Sequence, residues 1–178
     1  MIGLWYASRA AGLLALLLLT ATVVLGVLTR GRASSDAWPR FTVAALHRNL
    51  SLLTLVFVLV HAATAVIDGY AGIAWLDVVL PFVSVYQPFW LGLGAAAFDL
   101  LVALLVTSLL RTRISPKVWR AVHWAAYACW PVAVVHGLGI GETEVASWWG
   151  IGLVVACVVT VLGAVAWRFG RERMWAPR

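Results

Sequence analysis

Residues 44–66 read AALHRNLSLLTLVFVLVHAATAV. About 20 predominantly apolar residues cross the roughly 30 Å hydrocarbon core of a bilayer, so this stretch is long enough to span as one helix. It nevertheless carries two imidazoles, and ionisable side chains within hydrocarbon are costly and rare. His47 and His61 lie fourteen positions apart. Fourteen steps of about 100° come to about 1400°, some 40° short of four full turns, with a rise of about 21 Å. Both rings therefore share one helix face, one near each membrane surface.

The rest of the chain has the same character. Of 178 residues, 63% are hydrophobic and 11% charged, and the mean hydropathy is +0.97, outside the range of ordinary soluble domains. Five runs, at about 10–29, 42–66, 90–110, 117–138 and 148–168, are expected to span as helices. The fold class is thus all-α, a polytopic membrane bundle forming one transmembrane domain over 1–178, with no room for a soluble catalytic domain. The first run follows Arg9 as a signal peptide would, but its length and the absence of an Ala-x-Ala cleavage motif predict a retained anchor. Between the second and third runs, Gly69, Gly72, Pro81 and Pro88 interrupt a segment too apolar for a solvated loop. A short interfacial or re-entrant piece is expected there.

Charge sets the orientation. Arg30, Arg32 and Arg40 occupy the first connection, Arg111, Arg113 and Lys117 the third, and Arg168, Arg171, Arg173 and Arg178 the tail, whereas Asp68, Asp77, Glu142 and Glu144 mark the second and fourth. Short cytoplasmic loops are enriched in Lys and Arg, so the N-terminus is expected outside and the C-terminus in the cytoplasm of a multi-pass plasma-membrane protein. The same rule accounts for a pI near 10.2 without a nucleic-acid partner. Cys129 and Cys157 lie in apolar runs with no CxxC spacing and read as small buried hydrophobes. Tryptophans at span ends, Trp75, Trp90, Trp119 and Trp148 among them, suit the headgroup layer and are assigned to that belt rather than to a site.

The fourth run carries His123 and His136, thirteen positions apart. An ideal helix would set these about 140° out of phase. Pro131 lies between them, and a proline removes a backbone hydrogen bond and kinks or re-phases its helix, which makes the mismatch tolerable. The second and fourth spans run parallel, so His47 is level with His123 near the cytoplasm and His61 with His136 near the outside. Neutral imidazole is a good axial ligand for haem iron, and two of them saturate it for electron transfer. Two stacked b-type haems are the reading favoured by this pattern. Zinc would need ligands converging within about 2 Å of one ion, which two levels about 20 Å apart do not provide. A lone transmembrane histidine bonding a neighbouring helix is the structural alternative.

With these residues in view, HRNLSLLTLVFVLVH at 47–61 and WRAVHWAAYACWPVAVVH at 119–136 resemble the haem-binding helices of the ferric reductase-like transmembrane domain superfamily. That superfamily includes NADPH oxidases, ferric reductases and the haem-binding membrane subunit of bacterial methionine sulfoxide reductase systems. The resemblance runs from about Phe41 to Trp167 and rests on the four histidines and on the Trp119, His123, Tyr127 spacing. It implies transmembrane electron transfer through two haems ligated by His47, His61, His123 and His136. Larger members carry an extra span and often a cytoplasmic flavin and NADPH module, so a partner chain, a flavoprotein or another redox protein, is expected to supply flavin and electrons here.

Around the histidines, Arg48, Arg120 and Arg40 stand where inner-haem propionates would be directed, although topology alone would place arginines there. Trp124, Tyr127 and Trp130 offer either electron relay or packing. Gly92 and Gly94 offer room for a porphyrin face or close helix contact. Asp99, a carboxylate several turns into the third span, is a candidate for proton handling or for bonding another helix. The functional reading is the electron-transfer subunit of an oxidoreductase complex, not an enzyme by itself, since no nucleophile, acid–base pair or dinucleotide fingerprint accompanies the histidines. Its rivals are a quinone-reactive haem anchor, favoured by one haem per chain, and a haem-free structural subunit, favoured by none. Oligomeric state is not legible.

Overall fold

The structure, a computed structural model, describes residues 2–30, 39–141 and 147–174, with the backbone only at 2, 30, 40 and 171–174. Its elements, in chain order, are α1 (Ile2–Arg30), α2 (Arg40–Asp68), α3 (Trp75–Val79), α4 (Pro88–Leu109), α5 (Pro116–Trp124), α6 (Ala126–Ile140) and α7 (Trp148–Met174). Four of them, α1, α2, α4 and α7, are long and apolar enough to cross a membrane. The protein is an all-helical, multi-pass membrane protein, with no strand among the described residues.

Each boundary has a local cause. Gly69 ends α2 in the left-handed conformation at φ 71°, which costs a residue without Cβ little. Pro88 occupies the first turn of α4, where its missing N–H has no intrahelical partner to lose. Pro116 does the same for α5, whose N-cap Ser115 accepts a hydrogen bond from the Val118 amide at 3.3 Å. The interfacial piece expected between the second and third spans is α3, packed against α4.

The fourth expected span departs from the sequence reading. Instead of one helix over 117–138 there are two, nine residues in α5 and fifteen in α6, separated at Ala125. Pro131, inside α6, cannot donate to the carbonyl four residues back and crowds it, and the chain yields a turn and a half earlier. There the Ala125 amide makes a tight bond to the Val122 carbonyl at 2.9 Å.

Helix α1 is central, lying antiparallel to α2 and also touching α6 and α7. The buried core joins Leu19 of α1, Leu101 and Leu104 of α4, Cys129 and Val134 of α6, and Cys157 of α7. None of these comes from α2. Its inward face instead carries His47, the fully buried Thr54 and His61 at seven-residue steps, and the two histidines face rings of α5 and α6. Exposed Val159, Leu162 and Leu109 are what a lipid-facing surface requires.

Candidate site of paired histidines

The break at Ala125 brings the two histidine helices into phase. The rings of His47 and His123 have centroids 6.4 Å apart with planes crossed at 67°. Those of His61 and His136 are 6.3 Å apart and crossed at 77°. Among the described residues no group of three or more His, Cys, Asp or Glu side chains converges as a metal site would. The chain offers two separate pairs.

Three of the four imidazoles are tied to backbone. His47 Nδ1 meets the Thr22 carbonyl at 2.9 Å, His61 Nδ1 the Ser8 carbonyl at 2.8 Å, and His136 Nδ1 the Trp90 carbonyl at 2.8 Å. A carbonyl only accepts, so Nδ1 carries the proton in each and donates it, which leaves Nε2 with its lone pair. The Ser8 hydroxyl adds a second contact to His61 Nδ1 at 3.2 Å and donates to the His61 carbonyl at 3.0 Å. His123 is different: its Nδ1 is buried with no partner among the described residues, and its ring stacks on Trp119 at 4.9 Å.

Glycines lie under the tied rings. A Cβ on Gly94 would come within 2.6 Å of the His136 ring, one on Gly12 within 2.9 Å of His61, and one on Gly26 within 3.3 Å of His47. Gly94 therefore admits an imidazole, and Gly92 receives the Phe82 ring and backbone. A cavity of about 200 Å³ opens beside His61 and His136. Gly12, Ala15, Gly94, Ala95 and Ala97 line it with small side chains, and Arg9 is also in its lining.

Arg9, in sequence only a cation flanking the first span, has a structural place here. Its guanidinium donates to the last carbonyls of α6, Ile140 at 3.3 Å and Gly141 at 2.8 Å, where the helix dipole favours a cation, and it lies 4.2 Å from the Trp5 ring centre. Trp90 and Trp119 likewise belong to the site, through the His136 bond and the His123 stack, and not to the headgroup belt alone. Arg48 and Arg120 are exposed at the His47/His123 level. The Arg40 side chain lies outside the described residues, as do Glu142, Glu144 and most of the first connection. Asp99 points out of the bundle, exposed, with no hydrogen bond or ion pair from another described residue.

Of the aromatic relay candidates, Trp130 packs in the core and donates its indole N–H to the Thr20 hydroxyl at 2.9 Å. Trp124 and Tyr127 are exposed against each other, and the Tyr127 hydroxyl accepts from Arg168 at 3.1 Å. Packing accounts for Trp130, whereas Trp124 and Tyr127 stand at the surface. Replacing Trp130 by Phe is expected to cost about 1 kcal/mol, the usual worth of one buried hydrogen bond, read as a small drop in thermal stability in detergent. Unchanged visible absorption and reduction rate in that variant would agree with packing; a slowed rate at unchanged stability would restore the relay.

Fold and site together define a membrane helix bundle that presents imidazole pairs at two depths. Residues 11–134, 124 of the 178, match the family described as ferric reductase-like transmembrane component, and the chain belongs to that family. The match takes in α1 from residue 11 onward, beyond the resemblance that runs from about Phe41 to Trp167, and stops two positions short of His136. No curated protein and no solved structure matches the chain. The family is generally associated with haem and other redox cofactors and works with redox partners.

Proposed function

We propose that this chain is a membrane cytochrome b-type subunit in which His47 with His123, and His61 with His136, each hold one haem b. The observation that carries the reading is the separation of the facing rings. Two imidazoles on opposite sides of one metal, each with a metal–nitrogen bond of about 2.0 Å and about 1.1 Å from that nitrogen to the ring centre, have centres about 6.2 Å apart. The separations here are 6.4 and 6.3 Å. Histidines that merely bond neighbouring helices, the structural alternative, account for the three Nδ1 contacts to carbonyls, but they give no reason for two pairs of rings to face each other at a metal-spanning separation. The Nδ1–H bonds to carbonyls are compatible with ligation too, since ligating histidines commonly donate their other nitrogen in this way.

Haem iron between two neutral imidazoles changes by one electron and keeps no open position, which suits electron transfer. The chain's part is to set the rings, to line the site with apolar groups that exclude water, and to offer cations for propionates. Arg48 and Arg120 serve that role at one level and Arg9 at the other. With about 21 Å of helix rise between the levels, one pair lies towards each membrane face. Charge distribution orients the single domain with its N-terminus outside the plasma membrane and its C-terminus in the cytoplasm. Electrons then pass from a cytoplasmic-side donor, a partner chain with flavin, to an acceptor at the outer face.

The test is the oxidised and dithionite-reduced absorption spectrum of the purified chain, with a pyridine haemochrome assay for haem per polypeptide. Two haems b are expected. One would favour a quinone-reactive anchor, and none in a folded chain from haem-sufficient cells a structural subunit. Crossed imidazole planes leave the two dπ orbitals of ferric iron nearly degenerate, so planes at 67° and 77° predict low-spin paramagnetic resonance signals of unusually large anisotropy at both sites. Ordinary rhombic signals would mean nearly parallel rings.

A further inference from the structure

Three imidazoles are held by one repeated unit. In each, Nδ1 bonds the carbonyl of residue i on a neighbouring helix, and a glycine at i+4 lies under the ring. The pairs are Ser8 and Gly12 at His61, Thr22 and Gly26 at His47, and Trp90 and Gly94 at His136. Geometry explains the spacing. A helical carbonyl points along the axis at the N–H four residues on, so a ring that donates to it lies against residue i+4. A side chain there would occupy the ring's place, and glycine leaves it open.

On α1 the two units are fourteen residues apart, 8/12 and 22/26, which is the spacing of His47 and His61 on α2. Antiparallel packing then delivers the first unit to His61 and the second to His47. A helix that contributes no ligand carries the register of the helix that contributes two.

We propose that α1 is a positioning helix. Its two units, with the matching one on α4, fix which ring nitrogen bears the proton and the plane in which each imidazole stands, leaving Nε2 to bind iron. The proposal rests on the two-haem reading above. His123 supplies the contrast within the molecule, because among the described residues it has no hydrogen-bond partner at Nδ1 and stacks on Trp119 instead.

The experiment is ferric paramagnetic resonance with haem stoichiometry on the purified full chain and on Gly12→Ala, Gly26→Ala and Gly94→Ala. Gly163→Ala is the control, since a Cβ there meets nothing within 4 Å. Signals are assigned to levels with His61→Ala and His47→Ala. Gly12→Ala and Gly94→Ala are expected to shift the signal of the His61/His136 level, or lose that haem alone, and to leave the other signal in place. Gly26→Ala is expected to move only the His47/His123 signal, and by less, because its Cβ would approach at 3.3 Å rather than 2.9 or 2.6 Å. A purely structural role would lower folded yield without moving a signal at one level. Two haems per chain with both signals unmoved in all three variants, or a shift as large in Gly163→Ala, overturns the positioning role while the two-haem reading stands. A wild-type chain without haem overturns both.

Discussion

His61→Ala is expected to reduce the haem content from two per chain to one, and His136→Ala to give the same product with the same residual spectrum. The reason is the pairing. The two rings face each other at 6.3 Å, so an iron held between them loses half of its axial set when either is removed, and the level of His47 and His123 is untouched. Double variants sharpen the expectation. His61→Ala with His136→Ala should still carry one haem, because both changes fall on one site, whereas His61→Ala with His123→Ala should carry none. Such non-additivity is the mark of residues acting as a unit. A chain in which each histidine removed its own share regardless of partner would break the pairing. So would retention of two haems in His61→Ala, which would require another ligand at that level. Haem per polypeptide by pyridine haemochrome reads all four outcomes.

The histidines were legible because fourteen residues is close to a whole number of helical turns, and because imidazole is conspicuous in hydrocarbon. The pairing across helices followed from parallel spans. What was not legible was how the second pair comes into phase. Pro131 announced a disturbance, but a proline acts on the turn before it, and the break settled at Ala125, a residue that signals nothing by itself. The part played by α1 was hidden for another reason. Backbone carbonyls have no sequence signature, and a glycine in an apolar helix reads as ordinary close packing. The signal was present all the same: Ser8-x-x-x-Gly12 recurs as Thr22-x-x-x-Gly26 at the histidine spacing, and comparing the periods of two helices would have found it. Asp99 shows the converse. A mid-span carboxylate reads as an interior group, yet the small residues of α4, Ala95 and Ala97, take the buried face and leave it outside.

Gly139→Ala is expected to be among the most damaging single methyl additions in the molecule, while Gly137→Ala, two residues away on the same helix, is nearly silent. A Cβ on Gly139 would overlap the six-membered ring of Trp90, whereas one on Gly137 meets nothing within 4 Å. The indole has little room to retreat. Its neighbour Phe89 packs edge-on at 5.0 Å, and its own backbone carbonyl holds His136, so moving the ring strains the segment that positions that imidazole. Overpacking of this kind costs about 1–3 kcal/mol, which for a chain of this size corresponds to a fall in Tm of roughly 5 °C. Gly137→Ala gains a little helix propensity, at most about 1 kcal/mol, and should hold or slightly raise Tm. The two variants add the same atom to the same helix, so any general effect of alanine cancels in the difference. Because Trp90 connects the clash to His136, Gly139→Ala should also release the haem of the His61/His136 level at a lower temperature than that of the other level, followed by absorption during a thermal ramp. Equal melting of the two variants would show that α4 and α6 are not in contact through Trp90, and the route from that indole to the ligand would fall with it.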